Sequence, residues 1–208
     1  MAPKQKRVRR KPEDAQAHIL DAAEALMAKG GGPAALRLQD VARQAGVSHP
    51  TILHHFGNRE GLVRALNQRA LEKLTETAIT EISSGFSGEG MKATFAAYRD
   101  GLAQRLIWMM QSMAQLPAAR IELFERVVAS FHQARKAFTA PGAAAPDLSE
   151  SRAIIHLVTI AAFGDALIGA RLRHAGAREA AKRAAFERWF SELLDMYLKS
   201  KATGHSAH

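Results

Sequence analysis

The chain has 208 residues, 47% of them hydrophobic, so it is long enough for one or two domains with buried cores. Its formal net charge of +9 and pI of about 10.2 favour a polyanionic partner, either nucleic acid or an anionic membrane surface. The absence of cysteine excludes disulfides and thiolate metal sites, and it suits a reducing compartment. The basic N-terminus is followed by an amphipathic pattern, so we do not expect a secretory signal.

The first segment, residues 1–12, is predicted to be a flexible basic arm. Arg7, Arg9 and Arg10 are its candidate contacts with a polyanion backbone. A solubilising tail would have the same composition, so the prediction of a binding role depends on the motif that follows. A first helix is expected from about residue 13 to the glycine run before Pro33.

The next segment has the pattern of a helix-turn-helix that begins at Leu38 and ends at Phe56. Leu38 and Val41 start the apolar face of a short helix. Gly46 follows where a helix ends in a left-handed conformation, and Ser48 is a favourable N-cap for a second helix. This geometry inserts a recognition helix into the major groove of DNA, although an ordinary helical hairpin would show the same pattern.

The second helix of this motif leaves a polar surface outward, because Ile52 and Phe56 form its inner face. Hydroxyls and imidazoles on such a surface can bind base edges and phosphates. The candidate DNA contacts are Ser48, His49, Pro50, Thr51, His54 and His55. We expect no metal site, since adjacent histidines on a helix point about 100° apart.

The rest of the chain is also predicted to be helical, because alternating strand patterns are missing. We expect a long helix from Arg59, an uninterrupted helix over residues 91–115, and a capping box formed by Asp147 and Glu150. The other helices are expected at about residues 118–138, 149–174 and 177–199.

The most apolar stretch, residues 154–170, is interrupted by polar residues such as Asp165 and is shorter than the roughly 20 residues of a membrane span. We therefore expect a buried helix and no membrane partner. A helix that is apolar on most sides needs both its own domain and a partner surface to cover it.

These motifs resemble the TetR family of bacterial transcriptional regulators over about residues 15–66. The resemblance is carried by Ile19-Leu20-Asp21-Ala22-Ala23, Val41-Ala42, Ala45-Gly46-Val47-Ser48, Thr51-Ile52-Leu53-His54-His55-Phe56 and Arg59-Glu60-Gly61-Leu62. Arg59 is similar to the lysine or arginine with which the family contacts phosphate. The remaining two thirds of the chain match the family only in the number and order of helices.

Three positions depart from the family pattern. Leu53 replaces a tyrosine whose hydroxyl commonly reaches a DNA phosphate. Arg37 stands where a threonine usually caps a helix, and its guanidinium can approach the phosphate backbone instead. Pro50 disfavours a helical conformation at the preceding residue, so either Ser48 or His49 is the cap of the second helix.

The resemblance implies an all-α fold in which a three-helix DNA-binding head is joined by a long helix to a larger ligand-binding and dimerisation domain. The implied segments are the arm (1–12), the helix-turn-helix domain (13–58), the ligand and dimer domain (59–200) and a disordered tail (201–208). It further implies a cytoplasmic homodimer without cofactor that binds palindromic double-stranded DNA. Most such proteins are repressors released by a small apolar or amphipathic effector.

Two residue sets complete these expectations. Aromatic and methionine side chains usually fill cores, but they also line pockets for varied apolar ligands. The candidate pocket residues are Phe95, Arg105, Trp108, Met109, Met113, Phe124, His132 and Phe163. The candidate dimer residues are Ile154, Leu157, Val158, Ala161, Asp165, Ile168, Trp189 and Leu193.

Other functions remain open at this point. We do not expect an enzyme, because the sequence has no nucleophile elbow, phosphate-binding glycine loop or HExxH motif. A dimeric helical protein that binds RNA or membranes without sequence preference would also be basic. A regulator of the same family that senses no ligand is the third alternative.

Overall fold

The structure is a computed structural model that describes residues 12–28, 36–83, 88–112, 118–174 and 176–202. Within these ranges the chain forms helices and connecting turns, which confirms the all-α fold class. Several predictions lie outside the described residues: the arm with Arg7, Arg9 and Arg10, the glycine run before Pro33, and Met113. The same holds for the tail from residue 203 and for the side chain of Met109.

The described helices are numbered in chain order, and the chain divides into two compact units between Asn67 and Gln68, inside the fourth of them. Their bounds are α1 (Pro12–Ala28), α2 (Leu38–Ala45), α3 (His49–Phe56), α4 (Arg59–Ser83), α5 (Gly88–Ala97), α6 (Ala103–Ser112), α7 (Ala118–Ala137), α8 (Leu148–Leu172) and α9 (Glu179–Ala202).

The first unit has a core of apolar residues spaced three and four apart on each helix. Helix α1 packs against α2, and α2 packs against α3. The buried side chains are Ile19, Leu20, Ala22, Ala23, Leu36, Val41, Ala42, Ala45, Ile52, Phe56, Leu62, Val63 and Leu66. The polar residues between them are left on the outside, so this core fixes which face of α3 is exposed.

The second unit has a larger core built from α4 to α9. Phe95 and Phe131 are buried at its centre, and the ring of Phe95 meets the rings of Phe186 and Phe190 edge-on at about 6 Å. Phe95 was expected to line a pocket. It fills the core instead, because aromatic rings from α9 cover it.

The expectation of an uninterrupted helix over residues 91–115 is wrong. The helix breaks at Tyr98–Leu102, where Asp100 has a ψ of 20° and Gly101 a φ of 105°. A glycine adopts this positive φ without a steric penalty, so α5 and α6 are separate helices that meet at a kink. The Asp-Gly pair was the sequence signal for this break.

Helix α8 contains a π-helical turn at Asp165–Gly169 that the sequence pattern did not indicate. The Asp165 side chain is only 2% exposed and accepts a hydrogen bond from the Arg173 guanidinium. A side chain at Gly169 would overlap this ion pair, so the glycine makes room for it. Asp165 therefore points into the second unit and not onto the dimer face for which it was predicted.

Arg99 joins the same cluster from the kink between α5 and α6. Its Nη1 atom lies 3.7 Å from Asp165 Oδ2 and donates a hydrogen bond of 2.5 Å to Glu187 on α9. Arg173 also donates to Glu179 at 2.6 Å. We call Arg99, Asp165, Arg173, Glu179 and Glu187 the buried ion cluster, which ties the two irregular helical turns to α9.

A second polar group, which we call the polar lock, connects α7, α8 and α9. Arg135 Nη1 donates to Ser151 Oγ at 2.8 Å, and His132 Nδ1 lies 3.1 Å from the same oxygen. Arg135 also bonds Glu150 at 2.5 Å, and the Tyr197 hydroxyl donates to Glu150. His132, a predicted pocket residue, therefore contacts Ser151 in the polar lock and is not among the described residues that line the cavity.

The N-terminus of α8 is capped by Asp147, and the polar lock holds Glu150 in the same turn. Asp147 Oδ2 accepts a hydrogen bond of 3.1 Å from the Glu150 N–H, as an N-cap should. The carboxylate of Glu150 does not return the bond of a full capping box, because Arg135 and Tyr197 hold it. Burial by itself would raise the pKa of Glu150, but these two hydrogen bonds and the charges of Arg135 and Lys201 outweigh it and lower the pKa.

Helix α8 has about the expected length but is less covered than expected. It is long and apolar enough to cross a membrane on length and composition alone, a test that the core helices of water-soluble proteins also pass. Only 28% of its most apolar window is buried, so the description of a buried helix is corrected to a helix with one covered and one exposed side. Ile154 lies on the covered side.

Candidate nucleic-acid interface and ligand cavity

The turn between α2 and α3 is fixed by backbone hydrogen bonds around one glycine. Gly46 has a φ of 62° and a ψ of 30°, the left-handed conformation that the sequence predicted. Its N–H donates to Arg43 O at 3.3 Å, and the Val47 N–H donates to Ala42 O at 3.0 Å. This pair of bonds closes α2 as a Schellman motif, so the chain leaves the helix in a defined direction.

Ser48 is the N-cap of α3, which settles the choice between Ser48 and His49. Its Oγ atom accepts a hydrogen bond from the Thr51 N–H at 3.3 Å and lies 2.7 Å from the Thr51 hydroxyl. Pro50 occupies the first turn, where its missing N–H leaves no bond unmade. Both hydroxyls are near the N-terminal end of α3, where a positive helix dipole favours an anion such as phosphate.

The C-terminal end of α3 is fixed by the start of α4. Gly57 ends the helix with a φ of 73°, and Asn58 Oδ1 accepts a hydrogen bond of 2.7 Å from the Gly61 N–H. A side chain at Gly61 would overlap the carbonyl oxygen of Phe56, so the two helices approach through glycine. The sequence pattern predicts no role for Gly61, because it occupies the variable position of the Arg-Glu-Gly-Leu string.

The structure brings the predicted DNA contacts of α3 to one surface. His49, Pro50 and His54 are exposed, while Thr51 and His55 are half-buried. The His54 and His55 rings meet edge-on at 5.4 Å, and Ile52 on the same helix is buried in the core. The polar side chains of α3 therefore lie outward, while Ile52 and Phe56 anchor the helix in the core.

The flanking candidates are also at the surface of the first unit. Arg37 is exposed and makes no side-chain cap, so its guanidinium remains outside α2. Arg59 Nε lies 3.5 Å from Glu60 Oε1. Leu53, at the position of the family tyrosine, is 39% exposed and offers an apolar contact in place of a hydroxyl.

The second unit contains a partly open cavity of about 330 Å³, a volume within the usual range for small-ligand sites. Its walls come mainly from α4, α5, α7 and α8, and most of the lining side chains are apolar. The lining residues are Leu71, Leu74, Thr75, Ala78, Glu81, Ile82, Gly90, Met91, Thr94, Tyr98, Leu106, Leu123, Phe124, Val127, Ile155, Val158, Thr159 and Ser191.

The lining overlaps little with the predicted pocket residues. Phe124 contributes to the wall, and Phe163 packs edge-on against the lining residue Tyr98 at 6.0 Å. The structure does not place Arg105 or Trp108 among the described lining residues. Periodicity identifies apolar helix faces, but it does not tell which of them meet around an empty space.

Several large apolar side chains remain exposed on α8 and α9. The two helices run antiparallel, since Glu150 near the start of α8 bonds Tyr197 near the end of α9, and Arg173 after α8 bonds Glu179 at the start of α9. We call this surface the α8–α9 face. Its members are Leu157, Ile160, Ile168, Leu172, Trp189, Leu193 and Met196.

Half of the predicted dimer residues lie on this face. Leu157, Ile168, Trp189 and Leu193 belong to it, and Trp189 is 57% exposed. Ala161 is half-buried, and Val158 lines the cavity. Large exposed apolar areas of this kind are uncommon on monomeric proteins and mark interaction surfaces.

Comparison with known proteins agrees with these features. Residues 19–66 match the family model described as bacterial regulatory proteins of the tetR family. No curated protein matches the chain significantly. The crystal structure of the TetR-family repressor AlkX from Dietzia sp. strain DQ12-45-1b is 18% identical with a TM-score of 0.56, and the alignment covers 90% of this chain and 96% of AlkX.

Two further solved structures show the same fold. A tetR-family transcriptional regulator from Streptomyces coelicolor is 16% identical with a TM-score of 0.57, covering 92% of this chain and 87% of its own. The protein described as superantigen PfiT is 19% identical with a TM-score of 0.53, covering 84% and 96%. The match to the tetR family model over residues 19–66 coincides with the capped α2–α3 geometry, and the solved structures show that the chain has the fold of TetR-family regulators.

Proposed function

We propose that this protein is a homodimeric transcriptional repressor that reads a palindromic DNA operator with α3 and is released by a small, largely apolar ligand. The observation that carries the proposal is the exposed polar face of α3, capped at Ser48 and closed at Gly57. Rigid ends and an apolar base give the face a defined position, which base readout requires.

The dimensions and chemistry of α3 suit the major groove. An α-helix with its side chains is about 10–12 Å in diameter, which fits the roughly 12 Å width of that groove. His49 and His54 can donate to purine acceptors, and Thr51 can contact a thymine methyl. The Ser48 hydroxyl, together with Arg37 and Arg59, would bind the phosphates that set the register.

The α8–α9 face is proposed to bind a second copy of this chain. One side of α8 is buried in the second unit and holds Asp165 in the ion cluster, so lipid cannot surround this helix. Two copies meeting at the face would form a four-helix bundle and present two α3 helices. In a symmetric dimer the helices would contact half-sites about 34–36 Å apart.

The cavity is proposed as the effector site. Leu71 and Leu74 line it and belong to α4, the same helix that begins beside α3 at Arg59. A ligand that binds a different setting of α4 more tightly would shift the protein toward that setting and weaken DNA binding. A repressing role is supported by the description of AlkX, a protein with the same fold, as a repressor.

Selection of bound duplexes from a random DNA pool tests this function. The full chain is used at near-physiological salt with a competitor polyanion, and we expect one palindrome to be enriched. Salt-sensitive binding without sequence preference would contradict the proposal and favour the polyanion-binding alternative.

Deleting residues 1–11 should weaken binding to all duplexes and reduce the salt dependence of that binding.

The dimer is tested by charge substitutions on the α8–α9 face. Leu157→Glu combined with Trp189→Glu should give a monomer in sedimentation analysis and reduce operator affinity at least tenfold. Ile121→Glu is the matched control, because Ile121 is equally apolar and 64% exposed but lies on α7. A monomeric wild-type protein, or a double variant that still dimerises, would contradict this interface.

A further inference from the structure

We infer that the cavity accepts neutral or cationic apolar ligands of about ten non-hydrogen atoms and discriminates against carboxylates and other anions. This inference rests on the proposed role of the cavity as an effector site and adds the charge class of the ligand. It is derived from the sign of the charge in the lining and from the direction of the lining hydrogen bonds.

Glu81 supplies the charge of the cavity. It is the one ionisable carboxylate among the described lining residues, and these include no lysine, arginine or histidine. Glu81 also interacts with another group of the protein. An anion that entered the cavity would meet a like charge in surroundings of low polarity, where repulsion is stronger than in water.

Gly90 fixes where that carboxylate lies. A Cβ atom at Gly90 would stand 2.7 Å from Glu81 Cβ and 4.0 Å from Glu81 Oε2. Helix α5 can therefore approach α4 closely only because residue 90 is glycine. This close approach keeps the Glu81 side chain at the boundary of the two helices, in the wall of the cavity.

Two hydroxyl groups of the lining, those of Thr94 and Thr159, favour the same ligand class. Thr94 Oγ1 donates to Gly90 O at 2.9 Å, and Thr159 Oγ1 donates to Ile155 O at 2.8 Å. Their hydrogen atoms are used within the helices, while their oxygen lone pairs can still accept. The wall thus offers acceptors from Thr94, Thr159 and Glu81, which suit a ligand that donates hydrogen bonds, such as an ammonium group or an alcohol.

The volume sets the size of the ligand. At about 30 Å³ for each water-sized group, 330 Å³ holds roughly eleven such groups. An unbranched chain of about eight carbons with a small polar head fills this space. Phe124, Leu74 and Val158 would cover the chain, and the head would lie toward Glu81.

Three probes of matched length test the inference: octylammonium, 1-octanol and octanoate. Calorimetric titration into the full-length protein at pH 7 should show octylammonium binding at least tenfold more tightly than octanoate, with octanol between them. Equal affinity for octanoate and octylammonium would overturn the charge selectivity. This ranking in the wild-type protein needs no variant.

Glu81→Gln assigns the selectivity to its residue. We expect the affinity for octanoate to rise to within about threefold of that for octanol, while the affinity for octanol stays unchanged. Glu76→Gln is the matched control, since Glu76 lies on the same helix but is paired with Arg126 outside the cavity. Unchanged selectivity in a folded Glu81→Gln protein would overturn the assignment.

Phe124→Trp locates the binding site, because the larger ring occupies the cavity and should weaken all three probes to a similar extent. If none of the probes binds the wild-type protein, the inferred ligand class is wrong. The duplex selection uses no ligand, so it reports separately whether the protein is a sequence-specific DNA-binding regulator.

Discussion

The two units of the molecule differ in what determines their shape. In the first unit, between Leu36 and Asn67, each turn is specified by residues within a few positions of it, such as Gly46 and Ser48. In the second unit, the decisive contacts join residues far apart in sequence, as when Arg99 bonds Glu187. The proposed DNA-contacting face is therefore a local structure, and the cavity is a product of long-range packing.

This difference explains how much of each unit the sequence could predict. The left-handed Gly46, the Ser48 cap and the inward Ile52 follow from capping rules and helical periodicity, and the structure confirms them. The role of Gly61 was not predicted, because it depends on the approach of two backbones. Even in this unit, a close contact is harder to infer than a cap.

In the second unit, periodicity located most helices but not their irregular turns. The kink at Gly101 and the π-helical turn at Asp165 depend on partners from other helices, and a single helix pattern cannot show them. The same limit applies to the cavity, where Phe124 was predicted and Glu81 was missed. A half-buried glutamate has the same sequence pattern as a solvated one.

Replacing Asp165 should have the largest effect on stability. Asp165→Asn keeps the shape but removes the buried carboxylate that Arg99 and Arg173 share, so that each arginine keeps only its glutamate partner. We expect a loss of about 3 kcal/mol in the free energy of unfolding. Urea titration with hydrogen exchange should place this loss in the second unit.

Gly164→Ala is the control for Asp165→Asn. Its added methyl group meets no atom within 4 Å, and it should raise stability by about 0.5–1 kcal/mol. If Asp165→Asn, like this control, did not lower the free energy of unfolding, long-range charge pairing would not determine the structure of the second unit.

Gly61→Ala should have the next largest effect and should act on the first unit. The new methyl group overlaps the Phe56 carbonyl, so α3 must shift at a cost of about 2 kcal/mol. Operator affinity should fall at least tenfold, which a binding titration measures.

Gly46→Ala separates strain from overlap, because no atom lies within 4 Å of the added methyl and only its positive φ is unfavourable. We expect this variant to lower the free energy of unfolding by about 1 kcal/mol. If Gly61→Ala and Gly46→Ala reduced stability and operator affinity equally, the close approach of α3 and α4 would not be what positions α3.

Ser48→Ala should cost about 1 kcal/mol, the usual value for an N-cap. The Thr51 N–H donates a hydrogen bond to Ser48 Oγ in the wild-type protein, so its hydrogen exchange should become faster in the variant. Ser149→Ala is a comparison in the second unit, since Asp147 and not Ser149 caps α8. A smaller loss from Ser48→Ala than from Ser149→Ala would contradict the view that local caps define the first unit.

The polar lock should make a smaller, pH-dependent contribution. The pKa of Glu150 is lowered in the folded state, so its stabilisation is present above the ordinary glutamate pKa and is lost as the pH falls through the folded value. The pKa of Tyr197 is raised, first by its hydrogen bond to Glu150 and then by burial. Its contribution is present below the ordinary tyrosine pKa and is lost as the pH rises above it.

Urea midpoints measured across pH should therefore decline at both ends of the range. Tyr197→Phe should remove the alkaline decline and reduce the acid one. A Tyr197→Phe protein with the wild-type profile would show that this bond does not link α8 to α9.

The most direct test of the central claim compares the base preferences of the wild-type protein and His54→Ala in the same duplex selection. We predict a palindrome for the wild type and a relaxed preference at one symmetric position in each half-site for His54→Ala, corresponding to about 1–3 kcal/mol of discrimination. Arg43→Ala, an exposed substitution on α2, should leave the profile unchanged. An identical profile for His54→Ala, or an equal loss of affinity at every base, would contradict the claim that the exposed face of α3 reads the operator.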